Sequence, residues 1–279
     1  MSLVNSKQLL LDAQKGGYAV GAFNAENLEM IQAIVLAAEE TNMPVIIQTT
    51  PSTLKYANCD EFFAMASAVC KNSSAKVALH LDHGDSFETA MKAFRAGYTS
   101  IMIDGSKLDF EGNIALTKKV VEACGNSNVQ IEAELGKVGG KEDSLEVKGE
   151  TPYTDPQEAK EFVERTNVDS LAVGIGTSHG FYKGEPNVSV ERLAEIRKVV
   201  DIPLVLHGTS GVPDTTVREC IKNGICKVNY ATDLRVAYTN AVREVLKDEE
   251  VYDPKKYGNK ARESVKQLVI ERINMLSGK

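Results

Sequence analysis

The sequence is poor in the features that mark several common classes of protein. It contains no tryptophan, 6% aromatic residues and only four histidines among 279 residues. No apolar run approaches the roughly 18 residues of a membrane-spanning helix. The first 15 residues form an amphipathic pattern and not the apolar segment of a secretory signal. We therefore expect a cytoplasmic protein with no membrane partner.

Positive charge and paired cysteines are also lacking. The chain carries 32 basic and 39 acidic residues, for a formal net charge of −7. A nucleic-acid-binding protein would need a basic face, so we expect no nucleic acid as a partner. The five cysteines include no C-x-x-C pair, which indicates reduced, mostly buried thiols and not a disulfide framework.

The chain alternates short apolar runs with longer amphipathic stretches. Apolar residues in the longer stretches recur at intervals of three and four, with Glu early and Lys or Arg late, as in helices. Eight strand–helix units predict an α/β fold, the (β/α)8 TIM barrel, with additional C-terminal helices near 231–247 and 255–275. The predicted strands are 18–23, 44–49, 77–82, 100–104, 129–135, 170–175, 203–207 and 226–230.

A doubly wound open sheet is the competing architecture. It is disfavoured because no G-x-G-x-x-G follows the first predicted strand. No linker rich in Pro, Gly or Ser divides the chain either. We expect one domain over residues 1–279.

Three of the four histidines lie at the ends of predicted strands. These are His83 in "VALHLDHGDS", His179 in "GTSHGFYKG" and His207 in "VLHGTSG". A lone histidine in a strand is usually a core residue, but three on one rim of a barrel are the protein half of a catalytic zinc site. His80 shares a strand face with Asp82, which indicates an interior hydrogen-bonding role.

Two carboxylates are candidates for proton transfer. Asp82 precedes His83, and because adjacent strand residues point to opposite faces, both enter one site only if the strand turns there, which Gly84 permits. Asp82 would then lie beside the metal and exchange protons. Glu142 lies in a glycine-hinged segment, about 136–154, that is typical of a mobile lid delivering a base.

Glycine and hydroxyl residues follow the last three predicted strands. In barrels, loops after strands seven and eight commonly bind phosphate at a helix N-terminus. Each glycine alone is equally well explained as a turn, but together they favour a phosphate ester. The candidates are Gly180, Lys183, Gly208, Ser210, Asn229 and Thr232.

The segments "HLDHG", "IEAELGKVGGKE", "GTSHGFYKG", "VLHGTSG" and "KVNYATDLR" resemble the signature segments of the class II, zinc-dependent ketose-bisphosphate aldolases. The resemblance extends over nearly the whole chain, in order and spacing. "VGAFNAENLEMIQA" and "PVIIQTTPST" are more similar to the tagatose-bisphosphate branch. "YDPKKYGNKARESVKQLVIERI" also resembles the short fructose-bisphosphate enzymes, so both sugars remain open.

The resemblance implies a role for each matching residue. His83, His179 and His207 correspond to the zinc ligands, Asp82 to the acid/base at the C4 hydroxyl, and Glu142 to the carboxylate that exchanges the C3 proton. The phosphate candidates above correspond to positions that hold the dihydroxyacetone phosphate half. The resemblance further implies an alternative buried metal position at Asp104 and Glu134, and substrate contacts at Asn24 and Thr50.

The family resemblance also implies partners and cofactors. These are one catalytic Zn2+ per subunit, a Na+ or K+ ion near the phosphate, a sugar-bisphosphate substrate, and a homodimer or homotetramer. Arg262 and Arg272 are candidates for binding the distal phosphate. The implied reaction is reversible cleavage of fructose- or tagatose-1,6-bisphosphate to dihydroxyacetone phosphate and glyceraldehyde 3-phosphate.

Other functions remain as alternatives. A Schiff-base aldolase would use Lys227, and a zinc hydrolase would use water on the same histidines. An aldolase for another phosphorylated keto sugar or keto acid, such as the phospho-deoxy-keto acid of inositol breakdown, would use the same machinery. A sugar-phosphate-binding subunit without catalysis would not need Asp82 and Glu142.

Overall fold

The computed structural model describes residues 3–125, 127–142, 145–147, 153–182 and 184–278, with the backbone alone for 141–142 and 145–147. The strands are β1 (Val20–Asn24), β2 (Val45–Thr49), β3 (Val77–Gly84), β4 (Ser100–Ile103), β5 (Gln130–Leu135), β6 (Gly139–Glu142), β7 (Leu145–Val147), β8 (Ser170–Val173), β9 (Ser178–His179), β10 (Leu204–Leu206) and β11 (Ile225–Tyr230).

The helices alternate with these strands. They are α1 (Ser6–Gly16), α2 (Leu28–Thr41), α3 (Thr53–Tyr56), α4 (Cys59–Cys70), α5 (Phe87–Ala96), α6 (Phe110–Cys124), α7 (Pro156–Thr166), α8 (Val190–Arg197), α9 (Asp214–Lys222), α10 (Thr232–Val245) and α11 (Pro254–Ser277). Side chains that sequence rules favour cap them: Asn27 accepts from the N–H of Met30, and Ser86 from that of Thr89.

Eight strands form a closed parallel barrel in the order β1-β11-β10-β8-β5-β4-β3-β2. This confirms the predicted (β/α)8 barrel with extra C-terminal helices, of which α10 and α11 are the last two. The apolar runs are buried on both faces because helices cover the outside and side chains fill the inside. Across the described residues, no helix combines the length and the apolar character needed to cross a bilayer.

The helix α1 closes the barrel at the end where the strands begin. Its residues Leu9, Leu10 and Ala13 pack with the interior side chains of early strand residues, which are Val20, Ala22, Ile46, Ala78 and Cys226. The opposite end, where the strands finish, is therefore the open one. It is the end at which barrel enzymes place their catalytic groups.

The segment after β5 contains structure that the sequence pattern did not predict. Within the described part of 136–154, β6 pairs antiparallel with β7 and also parallel with β9, forming a small sheet outside the barrel. Its register sets Gly139 opposite Ser178 and Gly140 opposite His179. The small sheet therefore contains one of the predicted metal ligands, His179, in its strand β9.

Candidate active site and metal centre

The end of β3 brings two consecutive side chains into the barrel interior. His83 has a φ of +48°, a left-handed conformation that non-glycine residues rarely adopt. The register with β4 shifts between Leu81 and Gly84, so β3 holds one extra residue there. This bulge resolves the predicted difficulty, because Asp82 and His83 are both buried in the interior. Gly84 is needed because a Cβ there would lie 2.5 Å from the carbonyl oxygen of Met102.

The three rim histidines converge although they are far apart in the chain. His179 follows His83 by 96 residues, and His207 follows His179 by 28. His83 lies at the end of β3, His179 in β9 and His207 directly after β10. Each offers a ring nitrogen within 4.8 Å of the others. The Nε2 of His83 and the Nδ1 of His207 are 3.0 Å apart. Nitrogens around a tetrahedral zinc ion, bound at about 2.05 Å, lie about 3.3 Å apart.

Two carboxylates lie beside the histidines. Asp104 Oδ2 is 2.9 Å from His83 Nδ1, and Asp104 Oδ1 accepts from the N–H of Ser106. Glu134 Oε2 is 3.5 Å from His207 Nδ1 and has no hydrogen-bond partner among the described residues. An unpartnered buried carboxylate oxygen next to three imidazoles fits a divalent cation, since carboxylates and imidazoles are both ligands of zinc in proteins. His83, Asp104 and Glu134 form a second possible ligand group.

Burial disfavours negative charge on two carboxylates of the site. Burial raises the pKa of Asp82, although the neighbouring His83 opposes this. Burial, reinforced by the charge of Asp104, also raises the pKa of Glu134 well above its usual range. Both shifts disfavour the negative charge, which a bound cation would stabilise.

The histidines respond in different ways to the same burial. Burial lowers the pKa of His179 and that of His207 well below the usual value, which favours the neutral form of each ring. Burial alone would lower the pKa of His83 too, but the charges of Asp82 and Asp104 outweigh it and raise that pKa. At Asp104, burial alone would raise the pKa, but the hydrogen bond and charge of His83, together with the hydrogen bonds of Ser106, outweigh it and lower that pKa.

Asp82 is held by two side-chain amides. Gln48 Nε2 donates to Asp82 Oδ2 at 3.1 Å, and Asn229 Nδ2 donates to Oδ1 at 3.1 Å. Gln48 also donates to Asn24 Oδ1 at 2.6 Å. The other amide atoms, Asn24 Nδ2, Gln48 Oε1 and Asn229 Oδ1, have no protein partner within the described part of the chain. Three such buried atoms around one carboxylate are suited to a polar substrate, because buried polar groups require partners.

Gln48 has a role that the sequence pattern did not predict. It is the residue of β2 that pairs in register with His80 of β3 and with Asn24 of β1. The signal in the sequence was an amide side chain near the end of the apolar run "PVIIQT", where a core strand needs no polar group. Thr50, two residues further on, is buried, and its hydroxyl is 3.1 Å from that of Thr53.

The candidate phosphate residues lie on neighbouring loops at the open end. Gly180 and Gly208 have φ values of +82° and +63°, and a Cβ at Gly208 would lie within 3 Å of the backbone of Ser178. The Tyr182 hydroxyl joins these loops, accepting from the N–H of Ser178 at 2.7 Å and donating to the carbonyl of Gly208 at 2.8 Å.

The last two phosphate candidates lie where α10 begins. Ser210 Oγ accepts from the N–H of Asp233, and Thr232 is the first residue of α10. Two predicted residues are not placed by the structure: Lys183 lies outside the described residues, and so does the side chain of Glu142.

The two candidate arginines are both engaged within the chain. Arg262 donates to Gln32 and Asn259. Arg272 pairs with Asp214 at 2.9 Å and with Asp233 at 3.6 Å, and its guanidinium lies over the ring of Tyr230. These contacts explain both side chains as links between α11 and its neighbours, without a phosphate.

Comparison with known proteins places these features in a family. The profile of the family described as "fructose-bisphosphate aldolase class-II" matches residues 4–279. Among solved structures, the chain is similar to the YdjI aldolase from Escherichia coli K12, with 36% identity over 98% of this chain and 97% of that one and a TM-score of 0.88.

Two further structures share the fold. A provisionally assigned fructose-1,6-bisphosphate aldolase from Coccidioides immitis is 31% identical over 96% of this chain and 94% of its own, with a TM-score of 0.89. The fructose-bisphosphate aldolase of Campylobacter jejuni is 21% identical over 99% of this chain and 95% of its own, with a TM-score of 0.82. At that identity the likeness concerns the fold alone.

Proposed function

Because the chain belongs to the class II fructose-bisphosphate aldolase family, and is thus an aldolase, we propose that it cleaves a ketose 1,6-bisphosphate reversibly. The products would be dihydroxyacetone phosphate and glyceraldehyde 3-phosphate, and the substrate fructose- or tagatose-1,6-bisphosphate. The observation that carries the proposal is the convergence of three imidazoles beside the buried carboxylate of Asp82.

His83, His179 and His207 would hold one zinc ion, with Asp104 and Glu134 beside it as an alternative position. When bound, zinc acts as a Lewis acid toward the negative charge that develops on the oxygens of C2 and C3. The protein's own contribution is orientation. Asp104 accepts a hydrogen bond from His83, which directs the other ring nitrogen of His83 toward the site.

Two carboxylates would move the protons. Asp82 takes the proton of the C4 hydroxyl while the C3–C4 bond breaks, and C4 leaves as the aldehyde carbon. The electron pair of that bond goes to the C2–C3 enediolate, which Glu142 then protonates at C3. In the condensation direction each carboxylate makes the reverse proton transfer. The amide groups of Gln48 and Asn229 hold Asp82, which keeps its oxygens in one orientation for this transfer.

Phosphate and hydroxyl groups of the substrate would occupy the rest of the open end. Gly180, Lys183, Gly208, Ser210 and Thr232 would bind the phosphate of the dihydroxyacetone half. The amide atoms left unpartnered at Asn24, Gln48 and Asn229, together with Thr50, would bind the sugar oxygens. Phosphate contacts at one end place the reacting carbons against Asp82.

The contacts of Lys227 disfavour a Schiff-base mechanism. Its ammonium is buried and donates to both oxygens of Glu132, at 2.9 and 3.0 Å. A nucleophilic amine must be neutral and reach the substrate carbonyl, whereas this one is held as a cation in an ion pair.

Three further features complete the proposal. The enzyme would be a homodimer or homotetramer, would act in the cytoplasm, and would use a Na+ or K+ ion near the substrate phosphate. The family resemblance supports the oligomer and the monovalent cation, and the five cysteines without a C-x-x-C pair support the cytoplasm.

A coupled cleavage assay with both bisphosphates tests the proposal. The purified protein is assayed as prepared, after EDTA treatment and dialysis, and after zinc is restored. We expect EDTA to abolish cleavage and zinc to restore it, and the ratio of kcat/KM values to identify the sugar. Cleavage that survives EDTA, or a zinc-loaded protein that cleaves neither sugar, would contradict the proposal.

A further inference from the structure

A buried ion pair lies behind the histidine site, inside the barrel. Glu132 of β5 and Lys227 of β11 are 0% and 1% exposed, and 95 residues separate them in the chain. The Lys227 ammonium donates to both carboxylate oxygens, at 2.9 and 3.0 Å. The function proposed above gives this pair no part.

Both members of the pair are anchored on more than one side. Ser170 Oγ donates to Glu132 Oε2 at 3.2 Å. Lys227 Nζ is 3.2 Å from His80 Nε2, whose other ring nitrogen is 2.6 Å from Ser100 Oγ. Glu132 is therefore held in one place by contacts from β8 and β11.

Stability alone does not explain the pair. Two buried charges lose their hydration, and replacing such a pair by well-packed apolar side chains is often neutral or stabilising. The interior of a barrel is normally filled by branched apolar residues. A charged pair at this depth therefore indicates a task that needs its chemistry.

Glu132 also contacts a predicted metal ligand, His207, and this contact gives the pair a function. Glu132 Oε1 is 3.2 Å from Nε2 of His207. The other nitrogen of that ring, Nδ1, faces the site, 3.0 Å from Nε2 of His83. A carboxylate is an acceptor, so Nε2 of a neutral His207 carries the hydrogen and Nδ1 presents its lone pair.

His83 uses the opposite arrangement. Its Nδ1 lies 2.9 Å from Asp104 and its Nε2 faces the site. Each of these two histidines thus has its nearest carboxylate behind it, and these two carboxylates select opposite tautomers. Glu134 Oε2 faces Nδ1 of His207 from the site side, but at 3.5 Å it is farther from the ring than Glu132 Oε1 at 3.2 Å.

We infer that Glu132, held by Lys227, is a positioning residue that keeps the hydrogen of His207 on Nε2 and its Nδ1 directed at the metal. The inference rests on the proposed zinc site. Lys227 occupies both oxygens of Glu132, so the carboxylate stays behind the ring as an acceptor and does not turn into the metal site. Carboxylates placed in this way behind metal-binding histidines typically change metal affinity by about 10- to 100-fold.

Two double variants with the same net charge isolate the effect of the hydrogen-bond acceptor at position 132. Both carry Lys227→Met, which removes the cation that would otherwise be left unpaired. Glu132→Gln/Lys227→Met keeps an oxygen that can accept from His207, whereas Glu132→Leu/Lys227→Met has none. Zinc affinity is measured by competition with a chromophoric chelator, and the melting temperature of each metal-free protein reports its folding.

We expect the Gln double variant to bind zinc nearly as tightly as the wild type, and the Leu double variant about 10- to 100-fold more weakly. The metal-free melting temperatures of the two should agree. Equal zinc affinity in the two variants would overturn the inference, since the acceptor would then make no difference.

A second measurement observes the tautomers in the wild-type protein, and a variant serves only to assign one signal. With four histidines in the chain, long-range 1H–15N spectra of 15N-histidine-labelled protein can resolve each tautomer, and His207→Asn assigns the signal of His207. We expect His207 to be protonated at Nε2 and His83 at Nδ1 in the zinc-loaded protein, with His207 unchanged in the metal-free form.

Protonation of His207 at Nδ1 in either form would overturn the inference. This outcome is independent of catalysis. A protein that binds zinc with the expected tautomers but cleaves neither bisphosphate would contradict the proposed function and leave the positioning role supported.

Discussion

At the scale of single residues, the backbone of His83 decides how the site is built. A regular strand would turn Asp82 and His83 to opposite faces, but the φ of +48° at His83 and the bulge against β4 bring both inward. The pairing of an acid/base candidate with a metal-ligand candidate therefore depends on one unusual residue conformation.

The proposed role of Asp82 predicts a variant with intact structure and little activity. Asp82→Asn keeps the shape of the side chain and removes the proton acceptor, so kcat/KM for bisphosphate cleavage should fall about 10²- to 10⁴-fold. Zinc content, measured in the same preparations, should stay near one ion per subunit. Asp85→Asn, at an exposed position, is the matched control and should keep wild-type activity. Normal cleavage by Asp82→Asn would exclude Asp82 as the acid/base.

At the scale of elements, the small outer sheet contains one predicted metal ligand, His179, in its strand β9. Gly140 of β6 pairs with His179 of β9 and has a φ of +84°. A Cβ on Gly140 would lie 2.2 Å from the carbonyl oxygen of His179. The close approach of the two backbones thus requires glycine.

Gly140→Ala should therefore separate β6 from β9 and shift His179. We expect weaker zinc binding and a lower kcat/KM, with a melting temperature near that of the wild type, since the barrel itself is untouched. Gly17→Ala is the control, because Gly17 also has a positive φ, +68°, but open space around it. It should cost about 1 kcal/mol of stability and leave zinc binding intact. Wild-type zinc affinity in Gly140→Ala would show that the outer sheet does not support His179.

Tyr182 joins the loop that follows β9 to the loop that follows β10. Removing its hydroxyl by Tyr182→Phe leaves the N–H of Ser178 and the carbonyl of Gly208 without this partner. Unpaired groups of this kind cost about 1–3 kcal/mol when they are buried.

Because Gly208 belongs to the proposed phosphate site, we expect KM to rise more than kcat falls in Tyr182→Phe. Steady-state kinetics at saturating zinc would show this split. Tyr18→Phe, in the α1–β1 connection away from the open end, is the control for losing a tyrosine hydroxyl. A Tyr182→Phe enzyme with unchanged KM would place the phosphate elsewhere.

At the scale of the whole molecule, the barrel separates stability from chemistry. The α1 helix fills the end where the strands begin, and the candidate site occupies the end where they finish. Changes in the closed end should therefore alter the free energy of unfolding without altering catalysis.

Leu10→Ala tests this separation. Leu10 is 1% exposed in the interior cluster, so its truncation should cost about 2–5 kcal/mol, seen as a lower urea midpoint. Leu11→Ala removes the same atoms from a side chain that is 38% exposed, and should cost less than about 0.5 kcal/mol. Both variants should keep wild-type kcat/KM at a temperature where they are folded. A Leu10→Ala enzyme with lower kcat/KM per folded molecule would show that the two ends are coupled.

The periodicity of the sequence was sufficient for the barrel and for its catalytic end. Runs such as "VALHLD" and "SLAVGI" are apolar throughout, as strands buried on both faces must be, and the predicted barrel and family are both confirmed. The roles of Asp82, Glu142 and the three histidines stay predictions. Gln48 and Glu132 received no role because a polar residue in a strand does not by itself reveal which distant residue it will contact.

The sequence by itself determined the local features: which segments form strands and helices, and which polar residues end up at one rim. These depend on patterns within about 15 residues, where spacing alone sets the face of each side chain. Only the tertiary structure decided that His83 turns inward, that β6 lies on His179, and that Glu132 meets both Lys227 and His207. Those contacts span 75 and 95 residues, and they exist only once eight strands have closed in a single register.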